Sequence, residues 1–334
     1  MAATNGMRIL VFGGTRFIGR HVVERLRGRH DLTLFHRGVT GADLFPDVPR
    51  IRGDRDTADI ARIADTPWDA VIDLSCYFPA QLAGVLEQLG DRPTRYVFVS
   101  SCSVYDPEDR SVLRDEEART LPCTAAQATD PAPATYGHRK AACERLLARS
   151  GRPHAILRPA LVYGPHDPTD RLYYWLHQVM RHHTLLLPDG GRRTFSITYV
   201  RDLAEMLAGA LTCTGPHTVF NAISTPRASI RMVVDQAAKL LERDPVIADA
   251  PPELLHRHGI RPWADMPLWI DGDHGTYANG RAEEALAGAR TPFADSLRTT
   301  IAHFAERGWP TPTYGLDEAT RQRLLREVAV GEQG

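Results

Sequence analysis

The stretch that decides the fold is Ile9-Leu10-Val11-Phe12-Gly13-Gly14-Thr15-Arg16-Phe17-Ile18-Gly19, near the start of the chain. Its apolar run predicts a buried strand, its glycines a tight turn, and the apolar spacing after Ile18 a helix. A strand, a glycine turn and a helix in this order allow backbone N–H groups and a helix N-terminus to hold a pyrophosphate. We therefore predict a nucleotide site, the alternative being an ordinary turn that binds nothing.

The following segments continue the alternation of strands and helices. A second strand is predicted over 32–35, and later segments predict strands over 68–74, 95–100 and 155–158 and helices over 80–89 and 136–149. This pattern predicts an α/β fold, a doubly wound parallel Rossmann sheet. After Pro165 the chain turns irregular and aromatic. We expect a Rossmann domain over 1–165 plus about 195–223, and a smaller C-terminal substrate-binding lobe over 166–194 and 224–334.

Composition narrows the class of protein. The 334 residues are 43% hydrophobic and 24% charged with a formal net charge of −1, which is typical of globular proteins and gives no basic face for nucleic acid. No apolar run is long enough to span a bilayer and residues 1–6 do not form a signal peptide, so we expect a cytoplasmic protein without membrane contact. The 5 cysteines form no CxxC pair, so neither disulfides nor a metal site are predicted.

Candidate catalytic side chains occur in two segments of the predicted sheet. The strand around Tyr96 runs into Ser-Ser-Cys-Ser-Val-Tyr over 100–105, at the carboxyl end where parallel sheets bind ligands. Tyr136 and Lys140 are four residues apart and share one face of a predicted helix. A nearby ammonium favours the phenolate form of a tyrosine, which can then exchange a proton with an alcohol or a ketone.

With these residues the chain resembles the NAD-dependent epimerase/dehydratase family of extended or atypical short-chain dehydrogenases/reductases, over about the first 240 residues. The resemblance rests on the 13–19 loop, SSCSVY at 100–105, YGHRK at 136–140, LRPALVYGP at 157–165 and YVRDLA at 199–204. It implies a catalytic set in which Tyr136 is the general acid/base and Lys140 is its electrostatic partner and holds the nicotinamide ribose. The catalytic serine would be Ser101, with Ser103 as the alternative.

The resemblance also implies the cofactor contacts, with Asp54 at the adenine and Leu74 and Ser75 beside the ribose. Relatives that prefer NAD generally place an acid at the end of the second strand, where this chain has His36 and Arg37. A guanidinium binds a 2′-phosphate that a carboxylate would repel. We expect NADP to be favoured, with NAD as the alternative. The full predicted cofactor set is Gly13, Thr15, Arg16, Phe17, Ile18, Gly19, Arg37, Asp54, Leu74, Ser75, Tyr136 and Lys140.

On the substrate side the chain departs from the family pattern. Leu161 stands where many sugar-nucleotide epimerases have an asparagine, and Phe195 stands about where an arginine clamps the diphosphate. We therefore leave the substrate open among sugars, nucleotide sugars, nucleosides and similar alcohols or ketones. The candidate substrate contacts are Ser103, His166 and Arg193.

Three functions agree with these motifs. The first is an NAD(P)-dependent oxidoreductase or epimerase acting on a hydroxyl or keto group, for which the resemblance implies a homodimer. The second is RNA binding, because GGTRFIG and the later HRG also resemble the plant chloroplast stem-loop-binding branch. The third is an NAD(P)-binding regulator without catalysis. Tyr136 and Lys140 favour the first over the third, and the near-neutral charge favours it over the second.

Overall fold

The computed structural model describes residues 6–270, 275–286, 288 and 290–331. Its strands are β1 (Arg8–Phe12), β2 (Asp31–His36), β3 (Arg50–Arg52), β4 (Ala70–Asp73), β5 (Arg95–Val99), β6 (His154–Pro159), β7 (Leu161–Tyr163), β8 (Thr184–Pro188), β9 (Thr194–Tyr199), β10 (Val219–Ala222), β11 (Thr225–Ser229) and β12 (Val246–Ala250). Its helices are α1 (Phe17–Leu26), α2 (Pro79–Leu89), α3 (Ala125–Thr129), α4 (Tyr136–Arg149), α5 (Arg171–Arg181), α6 (Val200–Ala210), α7 (Ile230–Leu241), α8 (Pro252–Arg257), α9 (Gly280–Ala285), α10 (Phe293–Glu306) and α11 (Glu318–Gly331).

A parallel sheet of 7 strands forms the centre, in the order β10-β6-β5-β4-β1-β2-β3. Both faces are apolar, as expected of a parallel sheet that helices cover on both sides. Leu10 and Phe98 pack with α2 and α4 on one face, whereas Val11 and Val97 pack in the core that includes α1 on the other. The predicted Rossmann fold is therefore confirmed.

The order of strands reverses direction at β1, which lies between β2 and β4. Such a switch point opens a crevice outside the carboxyl ends of the strands, and ligands of doubly wound sheets bind there. The turn between β1 and α1 lies at this crevice. Helix α1 packs against α6 on the face of the sheet that carries Val11, and α2 packs against α4 on the face that carries Leu10.

The C-terminal part builds two smaller sheets, β11-β9-β7 and β12-β8. The sequence assigns residues from about 195 to 223 to the Rossmann domain, and β10 does complete the large sheet. Strand β9 instead pairs with β7 and β11 in a sheet of its own. The lobe boundary itself stays a prediction. Within the described residues, no helix combines the length and the apolar character needed to cross a membrane.

Gly19 sets how closely α1 approaches the strand that precedes it. A Cβ placed on Gly19 would lie 2.5 Å from the backbone nitrogen of Gly14, closer than atoms can pack. Gly84, in the middle of α2, has open space at the same position. Packing therefore requires a glycine at position 19 but not at position 84, so the two helical glycines can be compared directly.

We expect Gly19→Ala to lower the free energy of unfolding by about 1–3 kcal/mol, because the new methyl group forces α1 away from β1. Gly84→Ala is the control and should raise it by about 0.5–1 kcal/mol, because alanine is the better helix former. Urea unfolding midpoints at unchanged slope measure both changes. Equal effects of the two substitutions would contradict the packing argument.

Candidate functional site

A groove of about 620 Å³ runs along the carboxyl ends of the central strands. Its walls are the 13–19 turn, the segment after β2 and the segment after β3, and its floor includes Leu74 and Ser75 after β4. Tyr77, Gln81, Pro168 and Thr169 close its other side. The groove therefore occupies the crevice that the strand order creates at β1.

The glycine turn places the start of α1 at this groove. Gly13 and Gly14 both have positive φ, 101° and 102°, a region that side chains disfavour. Helix α1 begins at Phe17 without a side-chain cap at Arg16 and without an acidic residue in its first turn. An uncapped N-terminus presents N–H donors and the positive end of the helix dipole, which together attract an anion.

Most of the predicted cofactor residues line the groove. Arg37 is 69% exposed at its side chain, and its Nη1 lies 3.9 Å from Asp54 Oδ2, a loose pairing that leaves the guanidinium accessible. Arg16 is also exposed. The predicted residues on the groove wall are Gly13, Thr15, Arg16, Phe17, Ile18, Gly19, Arg37, Asp54, Leu74 and Ser75. Their contact with a cofactor stays a prediction.

His36 lies at the end of β2, the position where relatives that prefer NAD generally have an acid. Its ring presents a hydrogen-bond donor there. The Gly38 N–H donates to its Nδ1 over 3.0 Å, so in the neutral ring the proton is on Nε2. Burial, with Arg50 and Arg52 nearby, lowers the pKa of His36, which favours that neutral ring. Its Nε2 is buried, and no described residue accepts a hydrogen bond from it.

A buried ion pair that the sequence reasoning missed supports the same end of the groove. Asp73, the last residue of β4, is wholly buried. It accepts hydrogen bonds from Arg55 Nη1 and Nη2 (2.9 and 2.8 Å), from the Tyr96 hydroxyl (2.6 Å) and from the Ser75 N–H (3.2 Å). Burial alone would raise the pKa of Asp73, but the charge and hydrogen bonds of Arg55 lower it. An acid ending an otherwise apolar strand was the available signal.

Lys140 is buried below the start of α4. Its Nζ donates to the carbonyl oxygens of Cys76 (2.7 Å) and Val99 (2.8 Å) and lies 5.9 Å from the ring centroid of Tyr136. Burial favours the uncharged amine, yet the charge of Tyr136 and the nearby cysteines outweighs it and raises the pKa of Lys140. The lysine is therefore an ammonium with two of its three donors fixed on backbone.

The structure brings the predicted catalytic residues to one place. Gly137, directly after Tyr136, has no room for a Cβ because the Ser103 carbonyl oxygen lies against it. The turn that carries Ser101 therefore packs beside Tyr136, and the Ser101 hydroxyl donates to the Ser103 hydroxyl over 3.0 Å. Within the described residues, no hydrogen bond joins Ser101 to Tyr136.

Tyr136, Lys140 and Ser101 lie beyond the groove wall, and Tyr77 connects the two regions. The Tyr77 ring lines the groove and lies 6.4 Å from the Tyr136 ring and 5.2 Å from Lys140 Nζ. Arg139 donates to the Tyr77 carbonyl oxygen over 3.1 Å and so fixes this segment on α4. The proton-transfer residues thus adjoin the Tyr77 end of the groove.

The candidate substrate residues lie outside the groove. His166 lines a second cavity of about 450 Å³ next to Arg20 and Arg307, and burial lowers its pKa to about 4, so the ring is neutral at pH 7. The Nε of Arg193 lies 3.0 Å from Asp189 Oδ2. Ser103 is exposed on the turn over 101–104 after β5, which we call the serine turn. Their role toward a substrate stays a prediction.

We expect Asp73→Asn to lower the free energy of unfolding by about 3–5 kcal/mol at neutral pH, because it leaves the buried Arg55 guanidinium without its counter-charge. The Asp73 pKa is lowered by folding, so this contribution is present above the unfolded value of about 3.9 and is lost as pH falls through the folded value. Chemical unfolding at pH values from 3 to about 8 measures the difference, which should shrink only below about pH 4.

Asp235→Asn is the control for this experiment. Asp235 pairs with Arg231 over 2.8 Å, but both side chains are nearly half exposed, so its loss should cost about 0.5 kcal/mol. A difference between wild type and Asp73→Asn no larger than that of the control would contradict the assigned role of the buried pair.

Comparison with solved structures supports the fold. The UDP-glucuronic acid 4-epimerase of Bacillus cereus, solved with NAD, aligns with a TM-score of 0.69 at 19% identity over 90% of this chain and 99% of that one. At this identity the likeness concerns the architecture alone.

Two curated proteins of Arabidopsis thaliana are similar in sequence. One is the chloroplast stem-loop binding protein of 41 kDa b, 26% identical over 63% of this chain and 57% of that protein. The other is UDP-glucuronate 4-epimerase 1, 23% identical over 72% of this chain and 66% of that protein. The chain therefore spans less than two thirds of the length of either relative. The model of the NAD dependent epimerase/dehydratase family matches residues 9–222, more than half of the chain, and the protein belongs to that family.

Proposed function

We propose that this protein is an NAD(P)-dependent oxidoreductase or epimerase that acts on a hydroxyl or keto group of a sugar, nucleotide sugar, nucleoside or similar small molecule. The observation that carries the proposal is the buried Lys140 ammonium beside Tyr136, at one end of a groove whose other wall is the uncapped start of α1. An ammonium held beside a tyrosine favours the phenolate form that proton transfer needs, which supports an enzyme over a binding protein without catalysis.

The groove fits a dinucleotide. The α1 N-terminus suits a pyrophosphate, and Asp54, Leu74 and Ser75 would hold the adenosine. Two orphaned polar atoms, His36 Nε2 and Arg55 Nε, are buried in residues of this wall without a hydrogen-bond partner among the described residues. When bound, the nicotinamide would supply the hydride acceptor or donor.

The chain's own residues then perform the proton transfer. Tyr136 takes a proton from the substrate hydroxyl or returns one to its carbonyl oxygen. Lys140 stabilises the phenolate by its charge, because its position is fixed by two carbonyl oxygens. Ser101 lies on the adjacent turn, where its hydroxyl can orient the substrate oxygen.

We expect Tyr136→Phe and Lys140→Met to lower turnover by about 10²–10⁴-fold, because each removes part of the proton transfer. The phenylalanine variant should keep its cofactor affinity, because only a hydroxyl is lost. Nicotinamide absorbance detects net oxidation or reduction across a panel of sugar nucleotides and carbonyl compounds, and NMR of the products detects epimerisation.

Lys239→Met, on the exposed face of α7, is the control and should leave turnover unchanged. Full activity of Tyr136→Phe on a substrate that the wild type converts would overturn the role given to the tyrosine.

NADP is our proposed preferred cofactor, with NAD as the alternative that the solved relative contains. The support is the absence of an acid at the end of β2, where His36 and Arg37 stand, together with the exposed Arg16 on the same wall. Two guanidinium groups can form charge-assisted hydrogen bonds with a 2′-phosphate.

We expect Arg37→Ala to weaken NADP binding about tenfold or more, equivalent to about 1.4 kcal/mol, and to leave NAD binding almost unchanged. Arg29→Ala, an exposed arginine outside the groove, is the control and should change neither. Isothermal titration with both cofactors at fixed salt measures the difference. A wild-type protein that binds NAD tenfold tighter than NADP would show that the arginines do not select the phosphate.

Nucleic-acid binding is the second candidate, favoured by the relative named for binding a stem-loop. The near-neutral charge of the chain argues against it, since such binding draws on phosphate contacts. Filter retention of an RNA stem-loop over a salt series distinguishes the two, and retention that falls with salt would support this candidate. The homodimer and the cytoplasmic location also remain proposals, and sedimentation tests the first.

A further inference from the structure

Arg171, the first residue of α5, has a guanidinium group that the fold leaves largely unused. Its Nε donates to the Thr169 hydroxyl over 3.1 Å, and within the described residues this is its only hydrogen bond. A guanidinium carries five N–H donors, so the four on its two Nη atoms are available. The side chain is half-buried, a position where an unpaired cation is costly.

Neighbouring carboxylates do not neutralise Arg171. Asp167 accepts from the backbone N–H and hydroxyl of Thr169 (2.8 and 2.7 Å). Asp170 accepts from the N–H and hydroxyl of Thr313 (3.1 and 3.0 Å). Burial lowers the pKa of Arg171 more than Asp167 raises it. The charge is therefore held in place without a carboxylate in direct contact among the described residues.

The Trp263 ring covers one face of this cation. Arg171 Cζ lies 5.3 Å from the ring centroid, within the range of a cation–π contact. Trp263 is 39% exposed and has a φ of +65°, which is uncommon for a bulky side chain. Arg261 and Asp265 fix the loop around it through two hydrogen bonds of 2.9 Å. Backbone strain of this kind is concentrated at functional sites, and the exposure of the Trp263 ring leaves it open to a ligand.

Arg171 lies at the substrate end of the proposed active site. Thr169, its hydrogen-bond partner, lines the same side of the groove as Tyr77, whose ring lies 6.4 Å from the Tyr136 ring. The helix that carries Arg171 belongs to the C-terminal part of the chain, whereas α4 carries Tyr136 beside the large sheet. A substrate whose reacting carbon is at Tyr136 would place a neighbouring substituent near Arg171.

We propose that Arg171 and Trp263 form a subsite for an anionic oxygen group of the substrate, a carboxylate or a phosphate, and so select acidic over neutral alcohols and ketones. The two Nη atoms provide the parallel N–H donors that such a group accepts in bidentate fashion. The Trp263 ring holds the plane of the guanidinium and offers an apolar face to the carbon skeleton. This proposal names the substrate class of the function proposed above and rests on it.

The first test measures KM and kcat for sugar acids, sugar phosphates and neutral sugars with wild type and Arg171→Gln. We expect the KM for acidic substrates to rise tenfold or more with kcat changed less than about threefold, and neutral substrates to be unaffected. Arg181→Gln, in the last turn of the same helix and exposed, is the matched control and should behave like wild type. The sugar acids and sugar phosphates distinguish a carboxylate site from a phosphate site. Equal KM changes for acidic and neutral substrates would overturn the proposal.

The second test does not need turnover. Tryptophan fluorescence of the full-length protein is titrated with inorganic phosphate and with acetate at constant ionic strength. We expect the tryptophan fluorescence of the wild type to change in a saturable way, and this change to be absent in Arg171→Gln. Its absence in Trp263→Phe as well would assign the fluorescence change to the Trp263 ring. A change that does not saturate, or that persists in Arg171→Gln, would contradict the subsite. If no alcohol or ketone is converted, the proposed function fails and this titration alone decides whether the anion subsite exists.

Discussion

The buried ammonium of Lys140 is the interaction on which the candidate site depends. Its Nζ joins three elements, since it extends from α4 to the carbonyl oxygen that ends β5 at Val99 and to that of Cys76 after β4. An ammonium without these oxygen partners would be costly at this depth, so the helix, the strand end and the segment after β4 must stay together. The same constraint positions Tyr136 one turn earlier on α4, beside the serine turn.

The segment after β4 organises both ends of the groove. Asp73, which precedes this segment, pairs with Arg55 and so fixes the loop after β3. That loop carries Asp54 at the proposed adenosine end of the groove. Three residues after Asp73, the Cys76 carbonyl oxygen holds Lys140 at the catalytic end. Two buried cations are thus fixed on one short piece of chain at the centre of the sheet.

Much of the fold could be predicted from the sequence because parallel strands buried on both faces are continuous apolar runs. The predicted strands over 95–100 and 155–158 correspond to β5 and β6, and the predicted helix over 136–149 coincides with α4. The family that the motifs indicated is confirmed by the family match. These features depend on local periodicity and on short motifs, which a single sequence contains.

The remaining features depend on tertiary contacts that no local pattern encodes. The pairing of Arg55 with Asp73 joins positions 18 residues apart, and either residue alone is typical of a turn or a strand end. Residues from about 195 are predicted to belong to the Rossmann domain, whereas strand β9 pairs with β7 and β11 in a small sheet, a register that no local pattern encodes. Tyr77 gave no signal because its position between the groove and Tyr136 arises only when α4 packs on the segment after β4.

Two strand positions of the small sheet carry apolar side chains that cannot bind a polar substrate group. Leu161 and Phe195, which the family resemblance aligns with an asparagine and an arginine of many sugar-nucleotide epimerases, are both buried apolar strand residues. They are 8% and 4% exposed and lie in the adjacent strands β7 and β9. Side chains committed to this core cannot hydrogen-bond a substrate, so the polar contacts must come from segments that flank the sheet. The segment from Asp167 to Arg171 follows β7 directly and lies next to the groove. In the subsite we propose, recognition of an anionic group lies at the start of α5, where a cation is placed beside the groove without being buried in a sheet.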